Sequence, residues 1–249
     1  MKILLTRPLE DSILTSKILK QFSIESDISP LIKIKKQQVD YNFSPPDILI
    51  FTSKNGVRSF DFGHKIVKDN ILVISVGTET KKLIKQRTNL NVINVNGDLS
   101  ALKIKVAKLL KKKMSIVHPT SSNENTKLKD FFLKFNCKYK ALKCYNSLMV
   151  DENKDVFKKF LISYEKGIIS IYSSLTAKAF VKEVMKYKLQ NFCKKKKVVV
   201  ISEKVKKELN MLPLSRVFIA EKPNERNMVE LIKKISGGDK IAWEEKWRP

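Results

Sequence analysis

Hydroxyl residues stand at a repeated place in this chain. Thr52 and Ser53 follow the apolar run Ile48–Phe51 and precede Val57 and Phe60; Ser173 and Ser174 follow another apolar run and precede Ala177, Phe180 and Val181. An apolar run, a hydroxyl pair and then helical spacing read as strand, N-cap and helix. Two further starts fit the same scheme, one after Gly77 and one after Ser202. Helix amino termini present unpaired N–H groups and a positive dipole end, so several of them together suit a ligand with many carboxylates or phosphates. Arg7, directly after the first apolar run, adds a fork that fits a carboxylate. Capping alone explains any one of these hydroxyls; the recurrence is what points to an anion.

Other chemistries lack their apparatus. The chain has no G-x-G-x-x-G, no Gly-Lys-Ser/Thr phosphate loop, no H-E-x-x-H and no G-x-S-x-G. Cys137, Cys144 and Cys193 form no C-x-x-C pair, and His64 and His118 stand apart from them, so neither a disulfide framework nor a metal site is expected. Carboxylate pairs are absent from the hydroxyl-rich turns, leaving hydroxyls, amides and a tyrosine as working groups, with no cofactor. The net charge of +25 invites a nucleic-acid reading, yet it is nearly all lysine, with six arginines. The planar fork used for base reading is scarce, and interleaved aromatics are not visible. The runs at 111–113 and 194–197 stand before apolar strands, where solvated helix ends would place them, although a positive field also attracts any polyanion.

The elements that must position these residues repeat. Residues 47–58 are echoed by 167–177, residues 71–84 by 198–209, and Lys2–Pro8 by Ser115–Thr120. Strands alternating with helices imply mostly parallel sheets. The fold expected is α/β: two small parallel-sheet domains of Rossmann or flavodoxin-like type, the second inserted into the first and joined to it by a two-stranded linker. The boundaries are 1–34 plus 149–249 for one domain and 36–147 for the other, with crossings at Ile32–Lys36 and Leu142–Ser147. A cleft between the domains, rimmed by helix amino ends, is the expected ligand site. No apolar run approaches the roughly 20 residues of a membrane span. Residues 1–8 lack a secretory layout, so a cytoplasmic location is expected, and a monomer without membrane or nucleic-acid partner is a separate expectation.

Taken in order, Leu5–Pro8, Ile50–Val57, Val76–Thr80, Tyr145, Ser173–Ala177, Ile201–Ser202 and Ala220–Pro223 resemble uroporphyrinogen-III synthase across nearly the whole chain. The resemblance implies an enzyme of tetrapyrrole and haem biosynthesis, a hydro-lyase that needs no cofactor or metal. It would close hydroxymethylbilane, a linear tetrapyrrole with eight carboxylates, to uroporphyrinogen III with inversion of ring D and loss of water. An azafulvene and then a spiro intermediate lie on the family's route. Tyr145 matches the tyrosine that assists departure of the hydroxyl; packing at an interface is the other role open to it. Thr6, Arg7, Thr52, Ser53, Asn55, Gly77, Thr80, Ser173, Ser174, Thr176 and Ser202 are the implied substrate-binding positions. The chain departs from the family pattern at Ser202, Val205 and His118, where glycine, threonine and arginine are usual. A non-catalytic binder of an anionic small molecule, or a lysine-rich nucleic-acid binder, remains as an alternative.

Overall fold

The structure, a computed structural model, describes residues 1–97, 99–111, 113–121, 127–151, 154–214 and 216–237. The chain begins β1 (Ile3–Leu5), α1 (Leu9–Lys20), β2 (Ser26–Ile28), β3 (Ile32–Lys36), β4 (Ile48–Phe51), α2 (Lys54–Ser59) and β5 (Leu72–Val76). It continues through α3 (Thr78–Arg87), β6 (Val92–Val95), α4 (Leu99–Ala107), β7 (Ser115–Ser121), α5 (Lys127–Leu133) and β8 (Lys138–Met149). Then come α6 (Asp155–Ser163), β9 (Ile168–Ile171), α7 (Ser174–Lys186), α8 (Gln190–Cys193), β10 (Lys197–Val200), α9 (Glu203–Lys207), β11 (Arg216–Ile219) and α10 (Glu225–Ser236). Two compact units result: Met1–Lys33 with Leu148–Pro249, and Ile34–Ser147. Among the described residues no helix is long and apolar enough to cross a membrane.

The first unit holds a sheet in the order β11-β10-β9-β1-β2, with every pair parallel. Its central strands are apolar at consecutive positions because both faces are covered. Leu4, Ile169, Ile171, Val198 and Val200 pack on one face with Phe157, Phe160 and Phe180 of α6 and α7. Ile3, Leu5, Ile168 and Val199 pack on the other with Met228, Val229 and Ile232 of α10. In the lysine run at 194–197, Lys194 and Lys195 are exposed, as a solvated helix end would be, and Lys196 differs. Lys196 is 1% exposed, and its ammonium donates to the carbonyl of Tyr164, the residue capping α6, at 2.6 Å. The last carbonyls of a helix have no partner within it, and here a lysine supplies one.

The second unit holds the order β3-β8-β7-β4-β5-β6, with β4, β5, β6, β7 and β8 parallel to their registered neighbours. Leu49, Phe51, Val73 and Val117 face one layer with Val57, Phe60 and Tyr145. Ile48, Ile50, Ile74 and Ile116 face the other with Leu102, Val106, Phe132 and partly buried Tyr139. Registered pairing of β4 with β7 reaches only Leu49↔Val117, and β7 continues through Pro119, which has no N–H to give. Beside that proline, α2 comes close: a Cβ on Gly56 would stand 2.6 Å from the Pro119 carbonyl oxygen. Glycine at 56 therefore sets how near the hydroxyl pair after β4 sits to β7. All three cysteines are buried, and burial raises the thiols of Cys144 to about 12 and of Cys193 to about 11.

Candidate functional site

In the second unit, the residues after β4 reach to opposite faces of the sheet. Ser53, in extended conformation, caps α2 by accepting from the Gly56 N–H at 3.1 Å, and its Oγ lies 3.0 Å from the Tyr145 hydroxyl. Tyr145 is 8% exposed, its ring packed in the layer of Leu49, Phe51 and Val117. Thr52, half-buried, places Oγ1 2.9 Å from His118 Nε2. On the far side of the imidazole, Nδ1 lies 2.8 Å from the Tyr139 hydroxyl. His118 stands two residues beyond Ile116 and so shares its face. Its side chain is fully buried, and burial lowers its pKa to about 4, which keeps the ring neutral near pH 7. Asn55, in the first turn of α2, accepts from Arg58 at 3.1 Å. The site thus offers two phenols, two aliphatic hydroxyls and a neutral imidazole, groups that donate hydrogen bonds without carrying charge.

Gly77, with φ of 84°, occupies the cap position of α3, a backbone conformation that suits glycine. Its N–H donates to the Val95 carbonyl at 2.9 Å, and Thr80 is buried in the helix that follows. An open cavity of about 1010 Å³ in this unit is lined by Tyr41, Phe43, His64 and neighbours; Thr52, Ser53 and Tyr145 are not among its lining residues. The hydroxyls after β4 are held by hydrogen-bond partners, whereas the cavity is a broad depression.

In the first unit the repeat of the hydroxyl pair behaves as its spacing predicts. Ser173 caps α7, accepting from the Thr176 N–H at 3.1 Å, and its Oγ lies 2.7 Å from Thr176 Oγ1. Ser174 opens the helix and Thr176 is buried in its first turn. Ser202 stands at the cap of α9 without a side-chain bond to the helix. Thr6, fully buried, donates to the Ser170 carbonyl at 2.7 Å and so links β1 to β9. Arg7 meets the protein's own carboxylates: it is ion-paired with Glu225 at the start of α10, lies 3.7 Å from Asp11, and donates to Thr15 at 2.9 Å. Its guanidinium sits 3.9 Å from the centre of the Tyr172 ring. Burial works against the Arg7 charge, and Glu225, Tyr172 and Asp11 outweigh it, so its pKa is raised.

Sequence reasoning singled out Thr52, Ser53 and Tyr145, met His118 only as a departure from the family pattern, and did not bring out Tyr139 or Glu225. His118 and Tyr139 meet because β7 and β8 pair with Ile116 opposite Tyr139. Glu225 reaches Arg7 from 218 residues away, and only the packing of α10 beside α1 joins them. Among the described residues no group of three or more His, Cys, Asp or Glu is arranged to hold a metal ion.

Residues 14–230 match the model of the family described as uroporphyrinogen-III synthase HemD. A Methanocaldococcus jannaschii protein named for the same synthase is 27% identical over 194 residues, which cover 74% of this chain and 78% of that one. A Ruminiclostridium josui porphyrin biosynthesis protein HemD is 23% identical over 252 residues; 96% of this chain spans about half of the relative, 49%. Among solved structures, a uroporphyrinogen-III synthetase from Helicobacter pylori superposes with a TM-score of 0.64 at 17% identity, covering 94% of this chain and 98% of that one. At such identity the likeness speaks to the fold.

Proposed function

Because the chain belongs to the uroporphyrinogen-III synthase family of porphyrin biosynthesis, we propose that it closes hydroxymethylbilane to uroporphyrinogen III as a carbon–oxygen lyase. The terminal C–O bond of the linear substrate breaks and the hydroxyl leaves as water, the proton balance being closed by loss of the pyrrole N–H as the azafulvene forms. Ring D attacks the azafulvene carbon so formed through its already substituted α carbon, giving a spiro intermediate that fragments and recloses with ring D inverted. The observation that carries the residue assignment is the Tyr145–Ser53 hydrogen bond at 3.0 Å, which holds a phenol O–H beside a helix start. Tyr145 is assigned as the group that hydrogen-bonds the departing hydroxyl. His118, neutral near pH 7, is no cationic acid there.

Eight carboxylates are to be bound by donors rather than by a metal. For these we assign the hydroxyls of Thr52, Ser173, Ser174 and Ser202, the Asn55 side chain, and the N–H groups at the starts of α3, beside Gly77, and of α7, while the Ser53 hydroxyl donates to the Tyr145 oxygen and leaves the phenol proton for the departing hydroxyl. Thr6, Arg7, Thr80 and Thr176 act behind them, since their polar groups are buried within the protein. Fresh hydroxymethylbilane supplied to the purified protein, followed by oxidation and chromatographic separation of isomers, tests the reaction. Uroporphyrin III in excess of the spontaneous type I isomer is expected. Type I alone, beside an active control synthase, would overturn the assignment in favour of a binding protein for anions.

A further inference from the structure

We propose that His118 is a positioning residue that holds the Thr52 hydroxyl with its proton turned outward, toward a substrate carboxylate. This rests on the reaction proposed above, which supplies a polycarboxylate as the ligand. A neutral imidazole has one N–H and one lone pair, so a hydroxyl at each nitrogen polarises the row in one of two directions. In the first, Tyr139 donates to Nδ1 and the Nε2–H donates to Thr52 Oγ1, whose own proton is then left for a third partner. In the second, Thr52 donates to Nε2 and turns only lone pairs outward, which repel a carboxylate.

Donor strength selects the first direction, and two further observations fit it. A phenol is the stronger hydrogen-bond donor of the two hydroxyls, and it stands on Nδ1 at 2.8 Å. The Tyr139 ring is stacked on Phe132, with centroids 5.3 Å apart and planes at 14°, which fixes where its hydroxyl sits. Thr52 is half-buried, at the end of β4, while His118 is fully buried. The imidazole therefore acts on a ligand through Thr52, without touching it.

Two measurements decide the matter. The chain has two histidines, His64 and His118. Long-range proton–nitrogen spectra of ¹⁵N-histidine-labelled protein, with His64→Gln for assignment, read the His118 tautomer at pH 7. The Nε2–H form is expected; the Nδ1–H form or an imidazolium would overturn the role. In kinetics, Tyr139→Phe keeps the stacked ring but removes the proton that orders the row. It should raise KM for hydroxymethylbilane roughly three- to tenfold with kcat within about twofold, the size of one net hydrogen bond. Thr52→Val should raise KM as much or more, and adding Tyr139→Phe to it should cost nothing further. Additive losses, or a fall in kcat at constant KM, would overturn the positioning role while wild-type type III formation left the reaction standing. Wild-type protein yielding only type I isomer would overturn the reaction and the role together.

Discussion

Tyr145 can lose its phenolic oxygen and keep its packing, because its ring lies in the layer with Leu49, Phe51 and Val117 while only the hydroxyl meets Ser53. Tyr145→Phe should therefore unfold within about 1 kcal/mol of wild type, the net worth of one hydrogen bond. If the phenol assists the departing hydroxyl, type III formation should fall roughly ten- to hundredfold in kcat; an unchanged kcat in this variant would reduce the residue to packing. His118 makes a separate prediction about acid stability. The unfolded imidazole takes up its proton near its ordinary pKa of about 6.5, whereas the folded one waits until about 4. Between those values the unfolded chain binds more protons, so stability falls as pH drops through 6.5 toward 4, by about 3 kcal/mol in all. Urea midpoints followed by circular dichroism from pH 7 to 4.5 should decline for the wild type and decline less for His118→Gln. Parallel slopes would mean that other groups govern the acid limb.

At the scale of elements, α2 is placed by an absence. Alanine is the better helix former by about 1 kcal/mol, so Gly56→Ala would stabilise an isolated α2. Here its methyl would stand 2.6 Å from a backbone carbonyl oxygen of β7, and strand backbone does not give way as a flexible side chain would. Overpacking of this kind costs roughly 1–3 kcal/mol, so the clash outweighs the propensity. Gly56→Ala should be net destabilising, and by pushing α2 from β7 it should strain the Ser53–Tyr145 and Thr52–His118 bonds together. Thermal melts and isomer assays on one preparation check both, and a variant more stable than wild type would show that β7 yields. In the first unit, Arg7, Thr15 and Glu225 clasp α10 to the end of β1. The arginine that the sequence offers to a ligand is thus held by the fold, and Lys196 closes the end of α6 in a similar way.

Across the whole molecule, the parallel α/β architecture was legible because its signal is local. Ile48–Phe51 is a continuous apolar run, and Ile168–Ile171 is apolar but for the buried Ser170; such strands are tolerated where both faces are covered, and each leads through a hydroxyl residue that caps the following helix. The partners of the site residues were illegible because they are set by register and by distant packing. Nothing near Tyr139 in the sequence marks it as the neighbour of His118, and nothing near Arg7 announces Glu225. Net charge was legible as a number, and its consequence belongs to the molecule rather than to any residue. On the proposed reaction, a chain of +25 would gather a substrate of eight carboxylates by a field that salt screens. The Debye length is about 30 Å at 0.01 M salt and about 8 Å at 0.15 M. kcat/KM for hydroxymethylbilane should therefore fall about tenfold or more over that range, while kcat, measured at saturation, should stay within about twofold. Initial rates in sodium chloride, repeated in sodium sulfate at matched ionic strength, would separate screening from competition by a divalent anion. A kcat/KM flat with salt would assign the lysines to composition alone, and leave the helix starts and hydroxyls to gather the substrate unaided.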